Sequence, residues 1–110
     1  MKESEDGMLL RIYIGEADRC LGHPLYEAIV LKARELNLAG ATVLKGIMGY
    51  GANSRIHTTK ILRLSEDLPV VIEIADTREH IESIMPFLDE HVKDGLITME
   101  TVRVIWYRAE

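Results

Sequence analysis

The order of hydrophobic patterns along this 110-residue chain predicts an α+β protein with a ferredoxin-like βαββαβ fold: a four-stranded antiparallel sheet with two helices on one face. Three observations lead there. Residues 8–14 alternate with period two and put Leu10, Ile12 and Ile14 on one side of a strand. Leu25, Ile29, Ala33 and Leu36 recur on a helical stripe, as do Ile81, Ile84, Met85, Leu88 and Val92. Around these stripes lie β-branched runs bounded by Gly, Asn, Asp and Pro, the punctuation of strands and turns.

Taken in order, residues 1–7 are polar and acidic and are expected to form a disordered tail, leaving residues 8–110 as a single domain. The first strand stops at Gly15, and residues 16–22 form a polar connection. Pro24 suits the first turn of a helix, where its missing N–H would be unpaired anyway. Gly40 is expected to be the left-handed residue just past that helix. A second strand covers residues 41–48. A third is expected in two pieces, 60–64 and 70–74, interrupted around Pro69, which cannot donate to a ladder. Asp76, with Glu79 three residues on, reads as the cap of the second helix. Pro86 should kink or split that helix, since an interior proline costs about 3 kcal/mol. Residues 94–95 close it, Leu96 and Ile97 can pair briefly, and residues 102–107 form the last strand. Right-handed crossovers place both helices on the same sheet face. The other face carries Arg11, Tyr13 and Val71, with enough apolar content to suggest self-association.

A net charge of −5 offers no global basic field and argues against a nucleic-acid partner. The apolar runs fall far short of the roughly 20 residues that span a bilayer, and the acidic start does not read as a signal peptide. Cys20 is the single cysteine and cannot form an internal disulfide. Together these point to the cytoplasm. Cys20 and His23 are three apart, but no second pair matches them, so a closed tetrahedral metal site is not expected.

The stretch 40–57, Gly-Ala-Thr-Val-Leu-Lys-Gly-Ile-Met-Gly-Tyr-Gly-Ala-Asn-Ser-Arg-Ile-His, is where function is expected. Gly46, Gly49 and Gly51 give a backbone that turns through positive φ or closely approaches a ligand, and Lys45, Arg55 and Lys60 favour an anion. Residues 49–54 do not complete a dinucleotide fingerprint, and a P-loop's Gly-Lys-Ser/Thr entering a helix is missing. No convergent acid, base and nucleophile set is visible, so the residues favour a binding module over an enzyme. A twisted, bulged hairpin is the structural reading of the same glycines.

Gly40-Ala41-Thr42-Val43, then Lys45-Gly46 and Gly49-Tyr50-Gly51, resemble the second strand and following loop of the PII signal-transduction proteins. Arg103-Val104-Ile105 resembles their last strand. Residues 46–51 and 68–74 are also similar to a family of small, uncharacterised PII-like prokaryotic proteins, and this likeness covers residues 8–107. The resemblance implies a homotrimer with adenine nucleotides in the clefts between subunits and a switching loop, here residues 52–59. That loop would meet a partner such as a membrane transporter or a metabolic enzyme. Carried over, Gly40, Thr42, Gly49, Tyr50 and Gly51 line the nucleotide, and Arg108 reaches a neighbour's phosphates. With Lys45, Gly46 and Arg55 these make up the expected site. The glycine- and lysine-rich second loop of PII proteins is shortened here to Lys93-Asp94-Gly95-Leu96, and Trp106 replaces a basic residue, to stack on a base or fill a trimer core. The loss of these cations favours ADP or AMP over ATP. The alternatives are a metal-responsive trimer, a small enzyme on the same fold, and a ligand-free structural trimer.

Overall fold

The computed structural model describes residues 1–51 and 67–109. In chain order its elements are β1 (Lys2–Gly15), the short strands β2 (Arg19–Cys20) and β3 (His23–Pro24), α1 (Leu25–Glu35), β4 (Thr42–Lys45), β5 (Pro69–Asp76), α2 (Arg78–His91) and β6 (Leu96–Tyr107). The main sheet runs β4-β5-β1-β6, with every pairing antiparallel. That is the expected ferredoxin-like topology.

Register explains the core. Leu10 pairs with Ile74, Ile12 with Ile72 and Ile14 with Val70, so alternate residues of β1 and β5 face the helices in matched rows. Leu25, Ile29 and Ala33 of α1 and Ile81, Ile84 and Leu88 of α2 join them in one buried cluster. Each large apolar side chain among them stabilises the fold by about 1.5–3 kcal/mol. The opposite face carries Leu9, Arg11 and Tyr13 of β1 beside Ala75, Glu73 and Val71 of β5. At its centre Arg11 is paired to Glu73 at 3.0 Å and to Glu100 at 2.8 Å. Hydrogen bonds to these carboxylates, Glu73's the larger influence, hold the guanidinium pKa above its ordinary value.

The expected tail is not a tail. Residues 2–7 extend β1 and pair with residues 102–107 of β6, forming a two-stranded ribbon past the point where β5 ends. The polar sequence hid this because the ribbon is held by its backbone ladder, not by a buried face. Gly7 permits the transition: a Cβ there would lie 2.6 Å from the Asp76 carbonyl oxygen and 2.8 Å from Val104 Cγ2. β6 is likewise one strand from Leu96 onward, longer than the expected 102–107.

Other boundaries move for local reasons. The connection after Gly15 contains the β2–β3 hairpin, with Cys20 opposite His23. Pro24 caps α1 and does not occupy its first turn. Asn37, at φ 63°, takes the left-handed position assigned to Gly40. The N–H groups of Asn37 and Leu38 bond the carbonyls of Arg34 and Ala33, a Schellman closure. β4 is shorter than expected. Thr77, not Asp76, caps α2, its side chain accepting from His80 N. α2 continues through Pro86 as a single helix. The expected strand piece at 60–64 lies outside the described residues.

Candidate functional site

The register brings four chain segments together at one end of the sheet. Gly15 is opposite Pro69, Tyr13 is opposite Leu96, and Lys45 is opposite Val70. The end of β1, the glycine loop after β4, the start of β5 and the turn between α2 and β6 therefore meet. Between them lies a cavity of about 460 Å³, lined by residues 13–15, Asp18, residues 49–51, Asp67, Pro69 and residues 94–96.

Pro69 shapes the glycine loop. Gly46 N donates to the Pro69 carbonyl at 2.8 Å, and a Cβ on Gly46 would sit 2.8 Å from Pro69 Cγ. Gly49 has φ 155°, and its Cβ would come within 3.0 Å of the same atom. Both glycines thus have a packing reason inside the chain. Gly40 differs: no described atom lies within 4 Å of a Cβ built there, and its φ is not left-handed.

The charge of the cavity is opposite to the sequence expectation. Its described lining carries Asp18, Asp67 and Asp94 and no lysine or arginine. Two of these carboxylates also hold the turn after β1. Asp18 Oδ2 accepts from Gly15 N at 3.0 Å, and Asp67 Oδ1 accepts from Ala17 N at 3.0 Å. Lys45, expected to meet an anion, is 2.8 Å from Glu16 Oε2. The ring of Tyr50 and the apolar side chains of Ile47 and Met48 are exposed, so the loop presents an apolar rim beside acidic walls.

Of the expected residues, Gly49, Tyr50 and Gly51 reach this cavity, and Lys45 and Gly46 lead into it. Gly40 and Thr42 stand at the other end of β4, where Thr42 is opposite Glu73. Arg108 follows the far end of β6, about 40 Å along the strand from Leu96. It lies 3.2 Å from Glu3 and stacks over Trp106 at 5.5 Å, while Trp106 Nε1 donates to Glu5 at 2.8 Å. One chain does not unite Arg108 with the glycine loop. Arg55 and the expected switching segment 52–59 lie outside the described residues. The sequence reading missed Tyr13, Asp18 and Asp67 as lining residues, because only strand register brings them to residues 49–51. The shortened loop around Asp94 was noticed for its missing lysine, and it does reach this cavity. Among the described residues no three His, Cys, Asp or Glu side chains group to hold a metal ion, and no helix is long and apolar enough to cross a membrane.

The architecture is that of PII-like ferredoxin-fold proteins. It is similar to a PII-like signaling protein from Thermus thermophilus, with TM-score 0.57 and 15% identity over 94% of this chain and 92% of that one. It is also similar to the apo form of CPII from Thiomonas intermedia, a nitrogen regulatory PII-like protein, with TM-score 0.54 and 15% identity over 97% of this chain and 100% of that one. Residues 7–104 match the family DUF190, described as Uncharacterized ACR, COG1993, and the chain belongs to that family. Its relatives include a UPF0166 protein of Aquifex aeolicus, 41% identical over 101 residues, 89% of this chain and 92% of the relative. A UPF0166 protein of Methanocaldococcus jannaschii is 39% identical over 103 residues, 93% of each chain.

Proposed function

We propose that this protein is a PII-like regulatory binding module, not a catalyst, which holds an adenine nucleotide between copies and transmits its presence through the segment after Gly51. The observation that carries this reading is the meeting of the glycine loop with the shortened α2–β6 turn on one cavity. These are two of the places where the PII resemblance puts nucleotide contacts; the Gly40–Thr42 strand and Arg108 are the others. Backbone N–H groups between Gly46 and Gly51 would meet phosphate oxygens, Gly46 N itself being held by the Pro69 carbonyl, and Tyr50 would cover the base.

The acidic lining sets the charge the ligand can carry. Three carboxylates beside a phosphate are unfavourable unless a cation joins them. Within one chain Arg108 is too distant to serve, so in this reading it comes from a neighbouring copy, its guanidinium forking onto phosphate. ADP or AMP then fits better than ATP. The exposed Leu44, Tyr13 and Leu96 on the open sheet face support assembly, and a trimer is the expected form.

Two measurements test the reading together. Sedimentation should give a trimer at micromolar concentration. Thermal melts should shift upward with ADP or AMP and shift less with adenosine. A stable monomer, or a trimer with no melting shift for AMP, ADP or ATP at millimolar concentration, contradicts it. In the latter case the ligand-free structural trimer takes its place.

A further inference from the structure

His80 is held by two separate hydrogen bonds near the start of α2. Its backbone N donates to Thr77 Oγ1 at 3.2 Å, and its ring Nδ1 lies 2.9 Å from Asp76 Oδ1. Asp76 is only 2% exposed, and each of its oxygens already accepts a backbone N–H. Oδ1 accepts from Thr77 at 2.7 Å and Oδ2 from Ala39 at 2.8 Å. A carboxylate acting as acceptor on both oxygens requires the ring to donate, so Nδ1 carries the proton. In neutral His80 the lone pair then sits on Nε2, which has no hydrogen-bond partner among the described residues, and the side chain is 52% exposed. A buried carboxylate that fixes the tautomer and orientation of a solvent-facing imidazole is the arrangement that leaves a histidine nitrogen ready to accept a group.

We propose that His80 is a phosphoryl-acceptor site, modified at Nε2 by a small phosphoryl donor. The Nε2 lone pair forms the N–P bond while the bond from phosphorus to the donor's leaving atom breaks. The leaving group departs with that electron pair and takes a proton from solvent. The phosphorylated imidazole keeps its Nδ1 proton, and the positive charge on its ring faces the Asp76 carboxylate. The N-terminal end of α2 favours the added negative charge. Glu79 and Glu82 stand one and two positions away, spacings that do not face His80 along a helix.

His23 is exposed and has no carboxylate partner among the described residues, so it serves as the internal reference. The purified protein is incubated with potassium phosphoramidate, which transfers its phosphoryl group and releases ammonia. Acid-labile adducts are then mapped by mass spectrometry at alkaline pH. His80 should react about tenfold faster than His23, the size of effect an orienting carboxylate supplies. Asp76→Asn should reduce the His80 rate to that of His23, and His80→Gln should lose the adduct with an unchanged circular dichroism spectrum. Imidazole ¹⁵N shifts of the native protein should report the Nδ1–H tautomer, independently of whether Asp76→Asn folds. Equal rates at His80 and His23, a His80 rate indifferent to Asp76→Asn, or the Nε2–H tautomer would overturn the proposal.

Discussion

At the scale of single residues, two positions set against each other show how backbone and burial act. Leu21 occupies the tip of the β2–β3 hairpin at φ 50°, followed by Gly22 at φ 84°. This pair of positive values is that of a type I′ turn, which favours Asn followed by Gly. Leucine there is 82% exposed, so its side chain offers no burial to offset the left-handed backbone, which costs roughly 1–2 kcal/mol. Leu21→Asn should therefore raise stability by about 0.5–1 kcal/mol, measured as a higher denaturation midpoint at constant m-value. A fall in stability would show that Leu21 is covered in the assembled protein. Asp76 is the opposite case. Its carboxylate serves Ala39 N, Thr77 N and the His80 ring together, and Asp76→Ala strands all three donors, two of them backbone groups. Urea denaturation should show a loss of about 2–4 kcal/mol, and a loss below about 0.5 kcal/mol would contradict the network's role.

At the scale of elements, the ribbon formed by residues 2–7 and 102–107 depends on the crossing at Gly7. Any side chain there meets the Asp76 carbonyl oxygen and Val104, and one of these contacts is with backbone, which cannot rotate aside. Gly7→Val should destabilise the protein by about 1–3 kcal/mol and speed amide exchange in residues 2–6. Unchanged exchange would mean that the ribbon is anchored elsewhere. Periodic elements were legible in the sequence: β1 from residue 8 onward, both helical stripes and the β-branched stretch of β5 all stand where alternation and 3.6-residue spacing put them. Elements held by backbone pairing alone were not legible. Lys2, Glu3, Glu5 and Asp6 carry no apolar alternation, and a strand without a buried face leaves no hydrophobic period to read. The Asp76 misassignment has a similar origin. Its spacing to Glu79 imitates a capping box, whereas its burial depends on Ala39, which is 37 positions away in sequence. The candidate site was half legible. The glycine loop announced itself through composition, but the acidic walls came from three other segments joined only by register.

At the scale of the whole molecule, an apolar open face and a divided site belong to one account. The face is apolar at Leu44, Tyr13 and Leu96 and ionic at its centre, where Arg11 bridges Glu73 and Glu100. Because the Arg11 pKa is raised on folding, its contribution is fully present below the ordinary arginine value and is lost only above it. The arginine's own titration therefore adds no pH dependence to stability in the neutral range. Assembly through the open face would set several copies side by side, which is what the proposed site requires, since Arg108 follows the end of β6, about 40 Å along the strand from Leu96 at the cavity. The most direct test is calorimetric titration of ADP and of adenosine into the wild-type protein and into Arg108→Ala. The account predicts micromolar or weaker ADP binding, about −8 kcal/mol at best, and a loss on Arg108→Ala that is larger for ADP than for adenosine. No heat with ADP at millimolar concentration, or an Arg108→Ala variant that binds ADP as the wild type does, would contradict it.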